Sequence, residues 1–257
     1  MYWQDRAAKA QAQLSKKNLK QIEKQLRKYY GTSMERVIRD FERVYKRILK
    51  QQEDGKEITP ADLYKLDAYW KMQGQLRKEL QKLNDKQNSM LSKIFELHFF
   101  DIYYSINIEG LEAFSTIDSD IVHQLIQSIW TADNKNFSQR IWDNTERLIA
   151  TLNEELVHCV VTGKKTTELK QILQEKFDVS YRRADTLART EIAHIQTQAA
   201  KQRYKDYGLD EMQVWADPDE RTCSVCGKLH KKIYSVNEQP PIPAHPNCRC
   251  TMIPVIK

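Results

Sequence analysis

The sequence lacks long apolar runs and has few of the residues that interrupt regular structure. No segment approaches the roughly 18 consecutive apolar residues of a membrane-spanning helix, and residues 1–6 lack the apolar core of a signal peptide. Seven glycines and seven prolines among 257 residues exclude collagen-like and low-complexity chains. We therefore expect a helix-rich protein without a membrane span, made in a cytoplasm.

Charge is distributed unevenly along the chain. The net charge of +6 comes almost wholly from residues 1–50, which hold 14 Lys or Arg and 5 Asp or Glu. Residues 101–150 are acidic instead, with 3 basic and 8 acidic residues. A cationic segment can neutralise phosphates, or it can simply keep a helix face in water. Non-specific contact with DNA through this basic arm is one expectation, and a solvated helix face is the alternative.

Apolar residues recur at three- and four-residue steps over most of the chain, which predicts α-helices. The pattern favours two helices within residues 16–49, separated at Gly31. A further helix is predicted to begin at Pro60, with Thr59 as its cap, and to continue in one or two pieces to Leu97. Later helices are predicted over residues 122–130, 141–160, 166–177 and 180–207, with stops at Gly163 and Gly208.

The pattern changes at two places. An aromatic, β-branched patch at residues 99–104 and the acidic run after it predict a domain boundary. The last fifty residues are rich in turns, with strands predicted at 212–215, within 229–236 and at 251–253. We therefore predict a mainly α fold. It has an extended helical N-terminal region over residues 1–115, basic at its start, and a small C-terminal α+β, zinc-stabilised domain over residues 116–257.

Four of the five cysteines lie in this tail, in two short Cys/His clusters. Two residues lie between Cys223 and Cys226, and 21 residues lie between Cys226 and Cys248. Cys248 itself lies between His245 and Cys250. Two such clusters joined by a hairpin have the spacing of a structural zinc site, because a two-residue gap lets both thiolates enter one tetrahedron. We predict a structural Zn²⁺ held by Cys223, Cys226 and Cys248, with His245 or Cys250 as the fourth ligand. The ion is expected to hold together a tail that has few apolar groups of its own.

Other interpretations of these cysteines fit less well. A cytoplasm keeps thiols reduced, which argues against two disulfides. The flanks of Cys223 and Cys226 favour turns on both sides rather than the strand-to-helix setting of a redox pair. His230 is a more distant ligand candidate. Cys159 is expected to be a small buried residue on an apolar helix face.

Catalytic patterns are missing from the sequence. It contains no Gly-rich phosphate loop, nucleophile elbow or His-Glu-x-x-His run, and nothing pairs the acidic residues Asp217 and Glu220 with a nucleophile. A zinc shell closed by three or four thiolates also leaves no open position for substrate. We expect no enzyme activity and no small-molecule substrate.

Several short strings of the C-terminal half occur in a shared order and at shared gaps that resemble one protein family. The resemblance covers roughly residues 145–254 and is to the tailed-phage head morphogenesis proteins, or Mu F-like minor head (minor capsid) proteins. The strings that carry it are Ala-Arg-Thr-Glu at 188–191, Trp-Ala-Asp at 215–217, Arg-Thr-Cys-Ser-Val-Cys at 221–226, Pro-Pro at 240–241 and His-Pro-Asn-Cys-Arg-Cys at 245–250.

The resemblance implies a minor structural protein of a tailed-phage head. Such a protein acts in capsid assembly and in genome packaging or delivery, near the portal vertex or the inner capsid face, and it occupies the host cytoplasm during assembly. The implied partners are the portal protein, the major capsid protein, or both. Some relatives carry a toxin domain beyond the tail. We expect none here, because the sequence ends at Lys257, seven residues after Cys250.

A rival function belongs to a different class of protein. A zinc-dependent nucleic-acid-binding or nuclease-like factor of a mobile element would also combine a basic arm with a metal site. Within the resembling strings, Arg189 or Glu191 is expected to reach a backbone group or Asp217 of the tail, and an exposed ion pair is the alternative. Trp215 is expected to anchor the core of the metal module.

Overall fold

The structure is a computed structural model that describes residues 3–53, 59–111, 116–216, 220 and 222–256. These ranges contain seven helices and a three-stranded antiparallel sheet near the C-terminal end, which confirms the mainly α fold class with a small C-terminal sheet. None of the helices in these ranges has the length and apolar character needed to span a bilayer. In chain order the elements are α1 (Trp3–Glu53), α2 (Pro60–Tyr64), α3 (Asp67–Ser105), α4 (Ser119–Ile126), α5 (Phe137–Val161), α6 (Thr166–Asp206), β1 (Glu211–Trp215), α7 (Ser224–Leu229), β2 (Ile233–Ser235) and β3 (Thr251–Pro254).

The chain divides into two compact units, each built from separate stretches of sequence. The first comprises Met1–Glu23, Met90–Phe137 and Asp185–Lys257, and the second comprises Lys24–Ser89 and Ser138–Ala184. Helices α1, α3 and α6 each contribute residues to both units. The division into domains 1–115 and 116–257 is not tested by this observation and stays a prediction.

Helix α1 is continuous, so the predicted break at Gly31 is wrong. Buried residues follow one another at three- and four-residue steps on both sides of the glycine, from Leu26 and Tyr30 to Val37 and Phe41. A glycine inside a helix costs about 1 kcal/mol relative to alanine. The buried residues keep one helical spacing across the glycine, and their burial outweighs that cost, because each fully buried large apolar side chain contributes about 1.5–3 kcal/mol.

Two other helices also run further than predicted. Helix α6 passes through residues 178–179, where a break was expected, and the carbonyl of Ser180 accepts a hydrogen bond from Asn144 at 3.0 Å. Helix α3 continues past Leu97 to Ser105, and Phe99 and Tyr103 in this extension are fully buried. In both places tertiary packing overrides a local sequence that has weak helix propensity.

The predicted helix boundaries that depend on caps are confirmed. Thr59 and Asp62 form a capping box around Pro60 at the start of α2. Gly163 and Gly208 have positive φ angles of 62° and 70° after the last turns of α5 and α6. The amide of Lys164 donates to the carbonyl of Cys159 at 3.0 Å, which closes α5 with a left-handed terminal turn.

The sheet has the strand order β2-β1-β3, and both pairs are antiparallel. Residues of β1 alternate between half-buried and buried, with Met212 and Val214 fully buried, so its apolar side chains share one face. All four residues of β3 are buried. All three predicted strand segments contain a strand.

Candidate metal centre

The first half of the centre is the start of α7. Cys223 is the N-cap residue of this helix, with an extended backbone, and its sulfur accepts a hydrogen bond from the amide of Cys226 at 3.4 Å. Cys223 is exposed and Cys226 is buried. The sequence predicted a turn on each side of this motif. This is wrong for the side after Cys226, because α7 continues through Gly227 to Leu229.

The second half is the turn that leads into β3. The amide of Cys248 donates to the carbonyl of His245 at 3.2 Å, which closes the turn. Asn247 inside the turn has a positive φ of 60°, a conformation that asparagine tolerates better than most residues. Cys250 directly precedes β3, and both Cys248 and Cys250 are buried.

The structure brings the five predicted ligands together in two overlapping groups. The ligand atoms of Cys223, Cys226 and His245 all lie within 4.8 Å of one another. So do the sulfurs of Cys226, Cys248 and Cys250. Cys226 belongs to both groups, and its sulfur lies 3.8 Å from that of Cys248. These Cys/His groups are close enough to bind a metal ion.

The imidazole of His245 is oriented by its own turn. Its Nδ1 lies 2.8 Å from the carbonyl oxygen of Pro246 and donates to it, because a carbonyl can only accept. Its Nε2 lies 3.2 Å from the sulfur of Cys223 and 3.1 Å from that of Cys226. In the neutral ring, Nε2 then carries the lone pair that binds a metal, and the carbonyl fixes the ring in the way that metal-binding histidines are usually held.

Hydrogen bonds and burial shift the pKa values of the thiols in opposite directions. A hydrogen bond from Cys250 lowers the pKa of Cys248 to about 5. The same contact raises the pKa of Cys250, and burial raises the pKa of Cys226 to about 12. The backbone amide of Cys226 lowers the pKa of Cys223. These shifts favour the thiolate form of Cys248 and the thiol form of Cys226, and sulfur donors of this kind suit a soft or borderline cation.

The turn is attached to the centre of α6 through the segment that carries the Ala-Arg-Thr-Glu string. The hydroxyl of Thr190 accepts a hydrogen bond from the amide of Asn247 at 3.1 Å. Arg189 pairs with Asp185 at 2.7 Å and with Glu23 at 3.8 Å. The link from Arg189 or Glu191 to a backbone group of the tail stays a prediction, and the bond to Thr190 between them was not predicted. The other part of the prediction, a contact with Asp217, lies outside the described residues.

A buried polar cluster next to β3 was also missed. The side chain of Gln196 donates to the hydroxyl of Thr251 at 2.7 Å, and that hydroxyl donates to Gln11. Tyr204 donates to the carbonyl of Met252 at 2.9 Å. Glutamines in helices and a threonine in a short strand carry no sequence signal of this kind, because such polar side chains are ordinarily exposed.

The remaining candidates have ordinary structural roles. His230 lies outside both ligand groups, and its Nδ1 accepts a hydrogen bond from the amide of Ala216 at 3.2 Å. Trp215 is half-buried and packs edge-to-face on His230, with ring centroids 4.9 Å apart. Cys159 is fully buried on α5, as predicted for a small apolar side chain. Glu220 is exposed, and Asp217 lies outside the described residues.

Comparison with known proteins identifies a curated relative of part of the chain. A curated relative, the NAD(+)--arginine ADP-ribosyltransferase EFV of Enterococcus faecalis (strain ATCC 700802 / V583), is 24% identical over 185 residues. The match covers 64% of this chain and 38% of that protein, so the chain spans about two fifths of the relative's length. No solved structure matches the chain.

A protein-family comparison covers the whole metal centre. The family described as Phage Mu protein F like protein matches residues 150–253, a range that includes both Cys/His clusters and the central part of α6. This match confirms the resemblance noted in the sequence and supports a phage head morphogenesis protein. Residues 150–253 are therefore similar to the phage Mu protein F-like family.

Proposed function

We propose that the protein is a minor structural component of a tailed-phage head, which acts in capsid assembly and in genome packaging or delivery near the portal vertex or the inner capsid face. The observation that carries this proposal is the family match over residues 150–253, which contains the whole Cys/His centre. Portal protein, major capsid protein, or both are the proposed partners. The proposed role is structural. The transferase activity in the relative's name is not part of the proposal for this chain.

The centre is proposed to hold a structural Zn²⁺ through Cys223, Cys226, His245 and Cys248. Zinc–sulfur bonds of about 2.3 Å in a tetrahedron place two sulfurs about 3.8 Å apart. The sulfurs of Cys226 and Cys248 have this separation. The ion would neutralise the thiolates and tie the start of α7 to the turn before β3.

His245 is the better candidate for the fourth ligand. Its ring is already aimed at the two sulfurs of the first cluster and held by the carbonyl of Pro246. Cys250 belongs to the second group, with Cys226 and Cys248, and its side chain is hydrogen-bonded to that of Cys248. In this assignment Cys250 stays a thiol and donates a hydrogen bond to the Cys248 thiolate.

Metal analysis of the purified chain tests the ligand assignment. One zinc per chain is expected, and His245→Ala is expected to weaken zinc binding more than Cys250→Ser does. A larger loss with Cys250→Ser would assign the fourth position to Cys250. Purified protein that holds no zinc would contradict the metal proposal.

Mass spectrometry of purified phage particles tests the role in the head. We expect the protein at a low, fixed copy number in each particle and together with portal protein when assembly intermediates are purified. Particles that assemble and package DNA normally without it would contradict the proposal. Metal-dependent cleavage of DNA by the isolated chain would instead favour a nuclease-like factor of a mobile element.

A further inference from the structure

The first compact unit contains a long groove beside the metal centre. Its volume is about 780 Å³. Helix α1 lines it at three- and four-residue steps from Asp5 to Glu23, which at 1.5 Å per residue is a length of about 27 Å. Residues 189–196 of α6, Trp215 and residues 248–251 contribute the other walls. The shape is elongated and therefore suits an extended chain or a helix better than a small metabolite.

The buried part of the groove includes apolar side chains, whereas its exposed edge is mostly basic. Ile192 and Ala193 of α6 are buried apolar lining residues. Of the lining residues in the described part of the chain, five are exposed, and four of these are basic. These four exposed basic residues, Lys9, Lys16, Lys20 and Arg249, are called the cationic rim below.

The rim gives the groove an excess of positive charge. Among the residues that the structure describes, the lining contains five Lys or Arg and two Asp or Glu, an excess of three. One of the two carboxylates, that of Glu23, lies 3.8 Å from the guanidinium of Arg189, which is itself a lining residue. Because the described lining holds more cationic than anionic groups, and Lys16 and Lys20 are exposed, the field of the groove attracts anionic groups.

We propose that this groove binds an acidic amphipathic segment of a partner protein. The apolar side of the segment packs on Ile192, Ala193 and the small side chains of Ala8 and Ala12, and its carboxylates face the cationic rim. A helix laid in a groove in this way is a common mode of peptide recognition. Duplex DNA makes poorer use of the site, since its phosphates gain nothing from an apolar floor.

The groove and the metal centre share residues. Cys248 and Cys250 line the groove, and Thr251 beside them is bonded to Gln196 of α6. The turn that the proposed metal holds is therefore one wall of the binding site. That the bound segment comes from another head component rests on the proposed function, whereas the chemistry of the segment rests on the groove alone.

The test uses the full chain and a fluorescein-labelled peptide of about 18 residues in which leucine and glutamate repeat with helical spacing. Fluorescence anisotropy is expected to show saturable binding that weakens with salt. The double variant K16E/K20E is expected to weaken binding by about tenfold or more. Ala12→Trp, which fills the groove without a change of charge, is expected to weaken it as well. The counterpart peptide with lysine in place of glutamate should not bind.

The matched control is K17E/K24E, which reverses two exposed lysines of the same helix that do not line the groove. It is expected to change the affinity by less than about twofold to threefold. The proposal is overturned if the peptide does not bind, if both double variants weaken binding equally, or if a short DNA duplex binds more tightly than the peptide. Peptide binding by a protein that is absent from phage particles would contradict the proposed function and leave the groove assignment intact. A protein that enters particles and does not bind the peptide would contradict the groove assignment and leave the proposed function intact.

Discussion

Two regions of the molecule are stabilised by different chemistry. In the second compact unit, α1 buries a continuous apolar stripe in which Leu26, Phe41 and Ile48 are at most 1% exposed. In the tail, Cys226, Cys248 and Cys250 are buried beside apolar residues such as Met212 and Val214. Apolar packing is nearly indifferent to metal, whereas a thiolate cluster depends on it. The two regions should therefore respond to different substitutions. A substitution in the tail should change the zinc content, and one in the apolar stripe should change the free energy of unfolding without a change in zinc content.

The largest expected effect is loss of the metal through Cys226→Ser. Cys226 is the residue common to both ligand groups, so its removal disrupts either possible shell. Structural zinc sites in small peptides contribute about 10–16 kcal/mol of apparent binding free energy, more than any one side chain does. We expect zinc to be lost and hydrogen exchange in β1 and β3 to accelerate. Cys159→Ser, the same change at a buried thiol on α5, should leave the zinc content unchanged. Full zinc content and protected strands in Cys226→Ser would contradict the prediction.

The second prediction concerns the apolar region. Phe41→Ala removes a fully buried ring and should lower the free energy of unfolding by about 3–5 kcal/mol. Urea denaturation measures this loss, and zinc content should not change. Val161→Ala, at a side chain that is 52% exposed, should alter stability by less than about 0.5 kcal/mol. A loss below about 1 kcal/mol for Phe41→Ala would show that the stripe is less tightly packed than its burial indicates.

The third prediction concerns pH. Burial lowers the pKa of His98 from 6.5 to about 4, and the nearby carboxylate of Asp101 and a backbone contact at Ile192 oppose this shift only in part. The ring nitrogens of His98 face Asn18 and Ser15 of α1, at 3.0 and 3.4 Å. The folded protein therefore binds a proton on His98 more weakly than the unfolded chain does.

The sign of the pH effect follows from this difference. As the pH falls from about 6.5 to about 4, the unfolded chain gains a proton that the folded protein lacks, so stability should fall by about 3 kcal/mol in total. His98→Gln should flatten the pH dependence of the urea midpoint in this window. His158→Gln, at an exposed histidine, should leave it nearly as in the parent protein. An unchanged slope in His98→Gln would assign the acid sensitivity to other groups.

The sequence predicted some features well because their physical signals are local. The capping box at Thr59 and the stop at Gly163 depend on a few adjacent residues, and both are confirmed. The spacing of Cys223, Cys226 and Cys248 predicted proximity, since a two-residue gap and a hairpin constrain geometry directly.

Other features depend on contacts that are distant in sequence. Gly31 and the residues near Ser180 were expected to break helices, and packing keeps both helices continuous. The hydrogen bond from Asn247 to Thr190 joins residues 57 positions apart, and no sequence pattern around either residue predicts it. The groove lined by α1 and residues 248–251 was not predicted for the same reason.

The smallest expected effect separates packing from local propensity in α1. A Cβ at Gly31 would have no heavy atom within 4 Å, and the residue is inside the helix. Gly31→Ala should therefore raise the free energy of unfolding by about 0.5–1 kcal/mol, because alanine loses less backbone freedom on folding. The matched change Gly163→Ala, at a φ of 62°, should instead destabilise the protein, since a side chain is strained there. Urea midpoints of the two variants give the comparison. A destabilising Gly31→Ala would show that α1 requires glycine at this position. The apolar stripe alone would then not explain why the helix is continuous.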